Sequence, residues 1–214
     1  MGLLITFEGI EGCGKTTQII MAGEYLAARR VPHVITVEPG ATPLGRHIRE
    51  ILLHGADGDP CAEAEALLFT ADRAQHTREI LRPALAEGLV VLCDRFIDAT
   101  LAYQGFGRGL DMAFLRSLND FSSSGLLPDL TFLFDLSVEE GRQRIAARKV
   151  QRGARKTEDR IEGEAVAFHR KIREGYLRLA GEEPLRFRII AAAAAIPVIH
   201  REVCRHLQSL LDGG

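Results

Sequence analysis

The chain of 214 residues has no run approaching the roughly 18 consecutive apolar residues that cross a bilayer, which excludes a membrane-spanning helix. Cysteine is scarce, and Cys13, Cys61, Cys93 and Cys204 are scattered without a Cys-x-x-Cys pair. That spacing argues against a zinc site and reads as reduced cytosolic thiols. An excess of positive charge is missing as well: 27 Lys and Arg against 29 Asp and Glu leave a net −2, which argues against nonspecific nucleic-acid binding as the main task. Met1-Gly2-Leu3 lacks the basic region and cleavage site of a secretory leader, so a cytoplasmic location is expected. No internal repeat occurs, and the low-complexity run Ala191 to Ala195 reads as a small-residue turn or helix entry. With 46% apolar and 26% charged residues the chain can bury one good core, and a single domain over 1–214 is expected.

What is present is more informative. Gly9-Ile10-Glu11-Gly12-Cys13-Gly14-Lys15-Thr16 fits the P-loop pattern, two glycines bracketing four residues before Lys-Thr. The apolar Leu3 to Phe7 precedes it as a buried strand, and Thr17 to Arg30 follows as a helix. In that context Gly9, Gly12 and Gly14 let backbone N–H groups, those of Cys13 and Thr17 included, converge on phosphates; Lys15 reaches the terminal phosphates and the Thr16 hydroxyl can hold Mg²⁺. The chain therefore binds a nucleoside triphosphate.

Strands are expected at 3–8, 33–37, 89–93, 130–135 and 186–190, and helices at 15–30, 43–54, 62–86, 111–123, 137–149, 160–181 and 197–211. This alternation is the pattern of an α/β fold, a five-stranded parallel sheet covered on both faces.

Three further segments carry chemistry. Val90 to Cys93 is apolar and ends in Asp94-Arg95-Phe96, a carboxylate and a guanidinium at the carboxyl end of a buried strand, where ligands bind in open α/β sheets. Asp94 can hold a metal's water shell and Arg95 can grip a phosphate; the plainer alternative is a local ion pair capping the sheet. Phe69 and Arg73 are four apart on one helical face, a ring to stack on a base beside a cation to donate to a base oxygen, although a Phe on a helix is more often core. Between Arg142 and Arg160 stand eight cations against Glu158 and Asp159, interrupted by Gly153. A mobile lid at about 148–160 that closes over transferring phosphates is one reading; a solvated helix face or an RNA-contacting patch is the other.

Taken together, Phe7 to Gln18, Glu38-Pro39-Gly40, Leu68-Phe69 with Arg73, Asp94-Arg95-Phe96, Ala102-Tyr103-Gln104-Gly105 and Asp159-Arg160-Ile161-Glu162 resemble the thymidylate kinase family of the bacterial type. The resemblance covers nearly the whole chain. It implies a P-loop NTPase-like fold, a homodimer, and transfer of the γ-phosphoryl group of ATP to dTMP with Mg²⁺, giving dTDP and ADP. It implies that Phe69 stacks on thymine, that Arg73 donates to its O4, that Thr100 lies near N3 with Gln104 close by, and that Tyr103 faces the sugar carbon that would bear a 2′-hydroxyl. Arg49 and Arg95 would hold the 5′-phosphate, with Glu38 and Pro39 in the same substrate site. Glu11 would meet the 3′-hydroxyl, and Asp159 and Glu162 would lie near phosphate and metal.

One subgroup of that family carries an arginine inside the P-loop, whereas positions 10 to 13 here are Ile, Glu, Gly and Cys. The catalytic arginine is therefore expected from the lid, Arg148 first, with Arg152 or Arg155 as alternatives, and Arg144 is the candidate on the adenine side. Departures from the family pattern are Val37 and Ala41 around Glu38-Pro39-Gly40, Ala99 in place of serine, and the alanine run before Ile196-Pro197. Alternatives to dTMP kinase are a kinase for another monophosphate such as dUMP or UMP, and a non-catalytic P-loop protein.

Overall fold

A computed structural model describes residues 2–54, 58–151 and 160–213. Among them, five strands form one parallel sheet: β1 (Leu3–Glu8), β2 (His33–Val37), β3 (Val90–Asp94), β4 (Leu130–Asp135) and β5 (Phe187–Ala191), in the spatial order β2-β3-β1-β4-β5. The helices are α1 (Lys15–Ala28), α2 (Pro43–His54), α3 (Ala62–His76), α4 (Arg82–Ala86), α5 (Ile97–Thr100), α6 (Met112–Ser123), α7 (Val138–Gln151), α8 (Val166–Glu182) and α9 (Ile196–Asp212).

β1 has five consecutive buried residues, because both faces of the central strand are covered. Leu4 packs with Leu81 and Val91 on one side, while Ile5 and Phe7 join the larger cluster on the other. There Phe7 stacks on Phe134 with ring centroids 5.8 Å apart. Each such fully buried side chain contributes about 1.5–3 kcal/mol.

Two strands begin and end one residue later than their composition predicts. Asp94 pairs in register with Phe7 and with Val37, which makes it the last strand residue and not the first of a loop. Ala191 likewise pairs with Asp135. The helix expected from 62 to 86 is one helical run broken by a π-helical stretch, Thr77–Leu81. This wider turn comes just before Pro83, which has no N–H to give the carbonyl four residues back. The helix expected from 160 starts only at Val166, since Arg160 is held in a turn by the carbonyl of Leu53, 3.0 Å from its N–H. Residues 97–107, to which sequence reading assigned no helix, are α5 followed by a second π-helical stretch, Leu101–Gly107.

A buried polar string crosses this fold. Asp98 in α5 is fully buried and takes two bonds from Arg186, at 2.7 and 3.0 Å. Arg186 also donates to Thr131 Oγ1 at 2.7 Å, which lies 2.8 Å from Thr6 Oγ1 in the central strand. Breaking a buried pair from one side strands the other charge in low dielectric. Arg186→Met should therefore destabilise the chain by about 3–5 kcal/mol, with much of the loss recovered in Arg186→Met/Asp98→Asn. Urea titration of the three chains measures it, and a single-variant loss under about 1 kcal/mol, the range of a solvated surface pair, would contradict the buried-pair account.

Candidate active site

Parallel pairing aligns the carboxyl ends of the strands, and β1 is the point from which the chain moves first to one side and then to the other. Ligands bind at such a switch point. Phe7 lies opposite Asp94, so the loop after β1 and the Asp94-Arg95 pair stand side by side.

The loop itself needs glycine. Gly9, Gly12 and Gly14 have φ of 135, 77 and 96°, a region that costs side chains strain. Gly14 caps α1 without a side chain, leaving first-turn N–H groups at the positive end of a 14-residue helix. The Lys15 ammonium lies along the loop, donating to the carbonyls of Gly9 at 2.8 Å and Ile10 at 3.0 Å. The Thr16 hydroxyl donates to Asp94 Oδ2 at 3.3 Å, so two residues 78 positions apart meet as a metal site would require. Cys13 is buried, and besides its packing and backbone N–H its Sγ accepts from the Lys15 ammonium at 3.6 Å.

Two cavities flank this loop. The first, about 290 Å³, is walled by Glu11, Glu38, Pro39, Arg49, Phe69, Asp94, Arg95, Thr100, Tyr103, Gln104 and Glu162. The second, about 410 Å³, is walled by loop residues from Gly12 to Gln18, by Arg144, and by Ala194 to Ile196. Gly12, Lys15, Thr16 and Arg148 line both. The expected substrate residues thus converge, and Arg144 stands apart in the second cavity beside the alanine run.

Arg95 is the hub of the first cavity. Its backbone has φ of 72°, unusual for a residue with a side chain. Its guanidinium donates to Glu11 Oε1 and Tyr103 OH, each at 2.9 Å, and to Tyr176 OH at 3.1 Å. Tyr103 OH donates in turn to Glu11 at 2.7 Å, which pins its ring to the wall. Burial alone would raise the Glu11 carboxyl, but Arg95 and Lys15 beside it bring it below its ordinary value. Behind Arg95, Glu8 accepts from the Phe96 N–H and from Tyr176 OH, both at 2.7 Å. Glu8 and Tyr176 are fully buried and were not singled out from sequence. Tyr176 carried no sequence signal, because it lies on α8 among core residues such as Ile172 and Leu179.

Phe69 is half-buried in the cavity wall, but Arg73 lies a turn deeper, 1% exposed and not lining the cavity. It donates to Glu38 at 3.0 Å, Asn119 at 2.6 Å and the Phe96 carbonyl at 3.0 Å, three of its five N–H groups. Glu38 is also held by His76 at 2.8 Å. Arg49 donates to the Pro39 carbonyl at 2.8 Å and shapes the same loop. The Thr100 hydroxyl is buried without a protein partner in the wall.

Arg148 is 52% exposed and 4.0 Å from Glu162, which Lys149 approaches to 3.5 Å. Arg160 is not a lid cation: it donates to the Leu52 carbonyl at 3.1 Å and is ion-paired with Glu65. Arg152, Arg155 and Asp159 lie outside the described residues. Ala41 is absent from the residues with positive φ, so its methyl group strains nothing. Val37 and Ala99 both face the first cavity.

The family model for thymidylate kinase matches residues 7–203. The chain belongs to the thymidylate kinase family. It is 56% identical over 210 residues to a thymidylate kinase of Syntrophus aciditrophicus, covering 98% of this chain and 96% of that one. To a thymidylate kinase of Desulfovibrio desulfuricans it is 52% identical over 191 residues, 89% and 88% of the two chains. The crystal structure of thymidylate kinase from Ehrlichia chaffeensis superposes with a TM-score of 0.74 at 32% identity, covering 96% of this chain and 98% of that one.

The position of Glu8 in this family member gives a pH signature. Burial, and then the Asp98 charge, push its carboxyl up from 4.5 to about 7. A raised carboxyl keeps its proton in the folded chain where the unfolded chain has released it, so the stability it confers is full below pH 4.5 and is lost as pH rises through about 7. Glu8→Gln, which mimics the protonated acid, should match the parent chain at pH 4.5 and exceed it in stability above pH 7. Denaturant midpoints across that range measure this, and an offset independent of pH would refute it.

Proposed function

We propose that the first cavity takes dTMP, that the second takes ATP, and that the wall they share is where the phosphoryl group crosses. The chain phosphorylates dTMP to dTDP, as its family does. The observation that carries the residue roles is that Gly12, Lys15, Thr16 and Arg148 border both cavities.

An oxygen of the dTMP phosphate attacks the γ-phosphorus, the bond to the β–γ bridging oxygen breaks, and ADP leaves. That oxygen is largely ionised at neutral pH, so the protein supplies position and charge and no strong base. Arg49 and Arg95 hold the acceptor phosphate, and the bonds from Arg95 to Glu11, Tyr103 and Tyr176 set its direction. Lys15 and Arg148 meet the charge spreading over the transferred group from opposite cavities' shared wall. Among the described residues no cluster of three or more His, Cys, Asp and Glu is grouped for a metal. Magnesium asks for less, since it keeps several waters and takes one or two carboxylates, and Thr16 with Asp94 meets that need. Bound there, Mg²⁺ would neutralise phosphate charge; Glu162, in the wall of the same cavity, would be a second acid for its water shell.

Phe69 stacks on the base, with Thr100 and Gln104 beside N3; Arg73 is buried behind that wall with two of its five N–H groups uncommitted, and one of these, turned into the cavity, donates to thymine O4. A pinned Tyr103 ring disfavours a 2′-hydroxyl. Arg144 serves the adenine side. The same reading makes the chain one cytoplasmic kinase domain that pairs with a second copy; Leu67 on α3 and Phe114 and Phe121 on the neighbouring α6 are exposed apolar residues.

The test is a substrate panel. kcat/KM should fall from dTMP to dUMP to dCMP, with the methyl group contributing about 1–3 kcal/mol and the change from acceptor to donor more. A greater value for dCMP than for dUMP would remove the Arg73 assignment. ATP consumption stimulated by none of them would remove catalysis. Lys15→Ala should lose several orders of magnitude in turnover while still binding dTMP in calorimetry.

A further inference from the structure

Helix α7 meets the P-loop backbone to backbone. A Cβ built on Gly12 would lie 2.4 Å from the Gly141 carbonyl oxygen, and one built on Gly141 would lie 2.7 Å from the Glu11 carbonyl oxygen, both far inside the 3.4 Å at which ordinary contact begins. The Gly12 methyl is already excluded by its φ of 77°. Gly141 is different: it is helical with ordinary φ, and nothing in the helix itself calls for glycine, which costs about 1 kcal/mol there relative to alanine. Its requirement comes from the loop it touches.

The start of α7 is fixed at the same place. Ser137 Oγ accepts from the Glu140 N–H at 3.3 Å, and the Ser137 carbonyl accepts from the Gly141 N–H at 3.0 Å. Arg144 and Arg148 follow Gly141 by three and seven residues, the spacing of one helical face, about 4.5 and 10 Å further along the axis. Both reach the cavities beside the loop that Gly141 touches, Arg144 the second and Arg148 the two together.

We propose that Gly141 is a positioning residue for phosphoryl transfer: its missing side chain lets α7 rest directly on the P-loop, and that contact sets how far Arg148 and Arg144 extend over the triphosphate. The proposal rests on the assignment of Arg148 to the transferred group. Adding a methyl group at 141 pushes the helix outward by on the order of 1 Å, enough to cost up to about 10²-fold in a reaction that depends on placement. Glu11, whose carbonyl the methyl would meet, also borders the acceptor cavity, but its side chain is fixed there by Arg95 and Tyr103, so the acceptor side stays as it is.

The experiment compares the parent chain with Gly141→Ala, Arg148→Ala and the double variant, following kcat, KM for ATP and dTMP affinity by calorimetry. Gly181→Ala is the control, a helical glycine with open space around it. Gly141→Ala should lose about 10- to 100-fold in kcat with dTMP affinity unchanged. The double variant should be no slower than Arg148→Ala alone, because the glycine acts through that arginine. Parent-like kcat in Gly141→Ala, with Arg148→Ala severely impaired, overturns the role of Gly141 while leaving the arginine assignment standing. A mild Arg148→Ala removes the assignment and the proposal with it. Multiplying losses, or a Gly141→Ala chain that fails to fold or loses dTMP affinity together with kcat, make the glycine a general structural requirement and overturn the proposal too.

Discussion

The in-register parallel pairing of β1 with β3 and β4 is the constraint on which everything else in this molecule depends. Because Phe7 pairs with Asp94 and Glu8 with Leu133, β1 ends one residue past the level of Asp94 and β4 runs on only to Asp135, so the segments that follow all three leave by the same edge. A slip of one residue would turn Phe7 off its core face and carry Asp94 away from Thr16. The P-loop, the Asp94-Arg95 pair and the start of α7 are neighbours for this reason alone.

At that edge the chain gathers charge in places where water is largely excluded. Arg95 is matched there by Glu11 and Arg73 by Glu38, while Arg186, at the amino end of β5, is matched by Asp98, each pair buried or half-buried. Such pairs add little net stability against an apolar core, because desolvation consumes most of the attraction. What they do add is direction: a guanidinium held at several donors, as Arg95 is by Glu11 and two tyrosines, is aimed before a phosphate arrives. The two cavities then divide the labour, with fixed donors on one side and, at the shared wall, Lys15 and the exposed Arg148.

Legibility in the sequence followed locality. β1, β2 and β4 were readable to the residue because an apolar run between turn residues is a local signal. β3 and β5 were off by one, since their ends are decided by partner strands. Residues 97–107 gave no usable period: helical turns of changing width, with Gly105 and Gly107 among them, blur a 3.6-residue repeat. Arg73 and Phe69 share a helical face, as spacing required, yet depth separates them, and spacing carries no information about depth. Glu8 and Tyr176 stood unmarked, for a glutamate after an apolar strand and a tyrosine on an apolar helix face are ordinary until the fold brings them to the same arginine.

By itself the sequence determined the triphosphate loop and the class of sheet, because each is specified by contiguous residues: glycines where φ must be positive, a lysine one position inside a helix, apolar strands alternating with helices. Its family resemblance likewise rests on short motifs read in order. Only the tertiary structure decided which side chains are aimed and which are spent on holding others. Arg160 is tied to Glu65 and Leu52 while Arg148 stays exposed between two cavities, although both belong to one basic run. The physical reason is that burial and pairing are properties of position in three dimensions, set by contacts between residues that the chain keeps far apart.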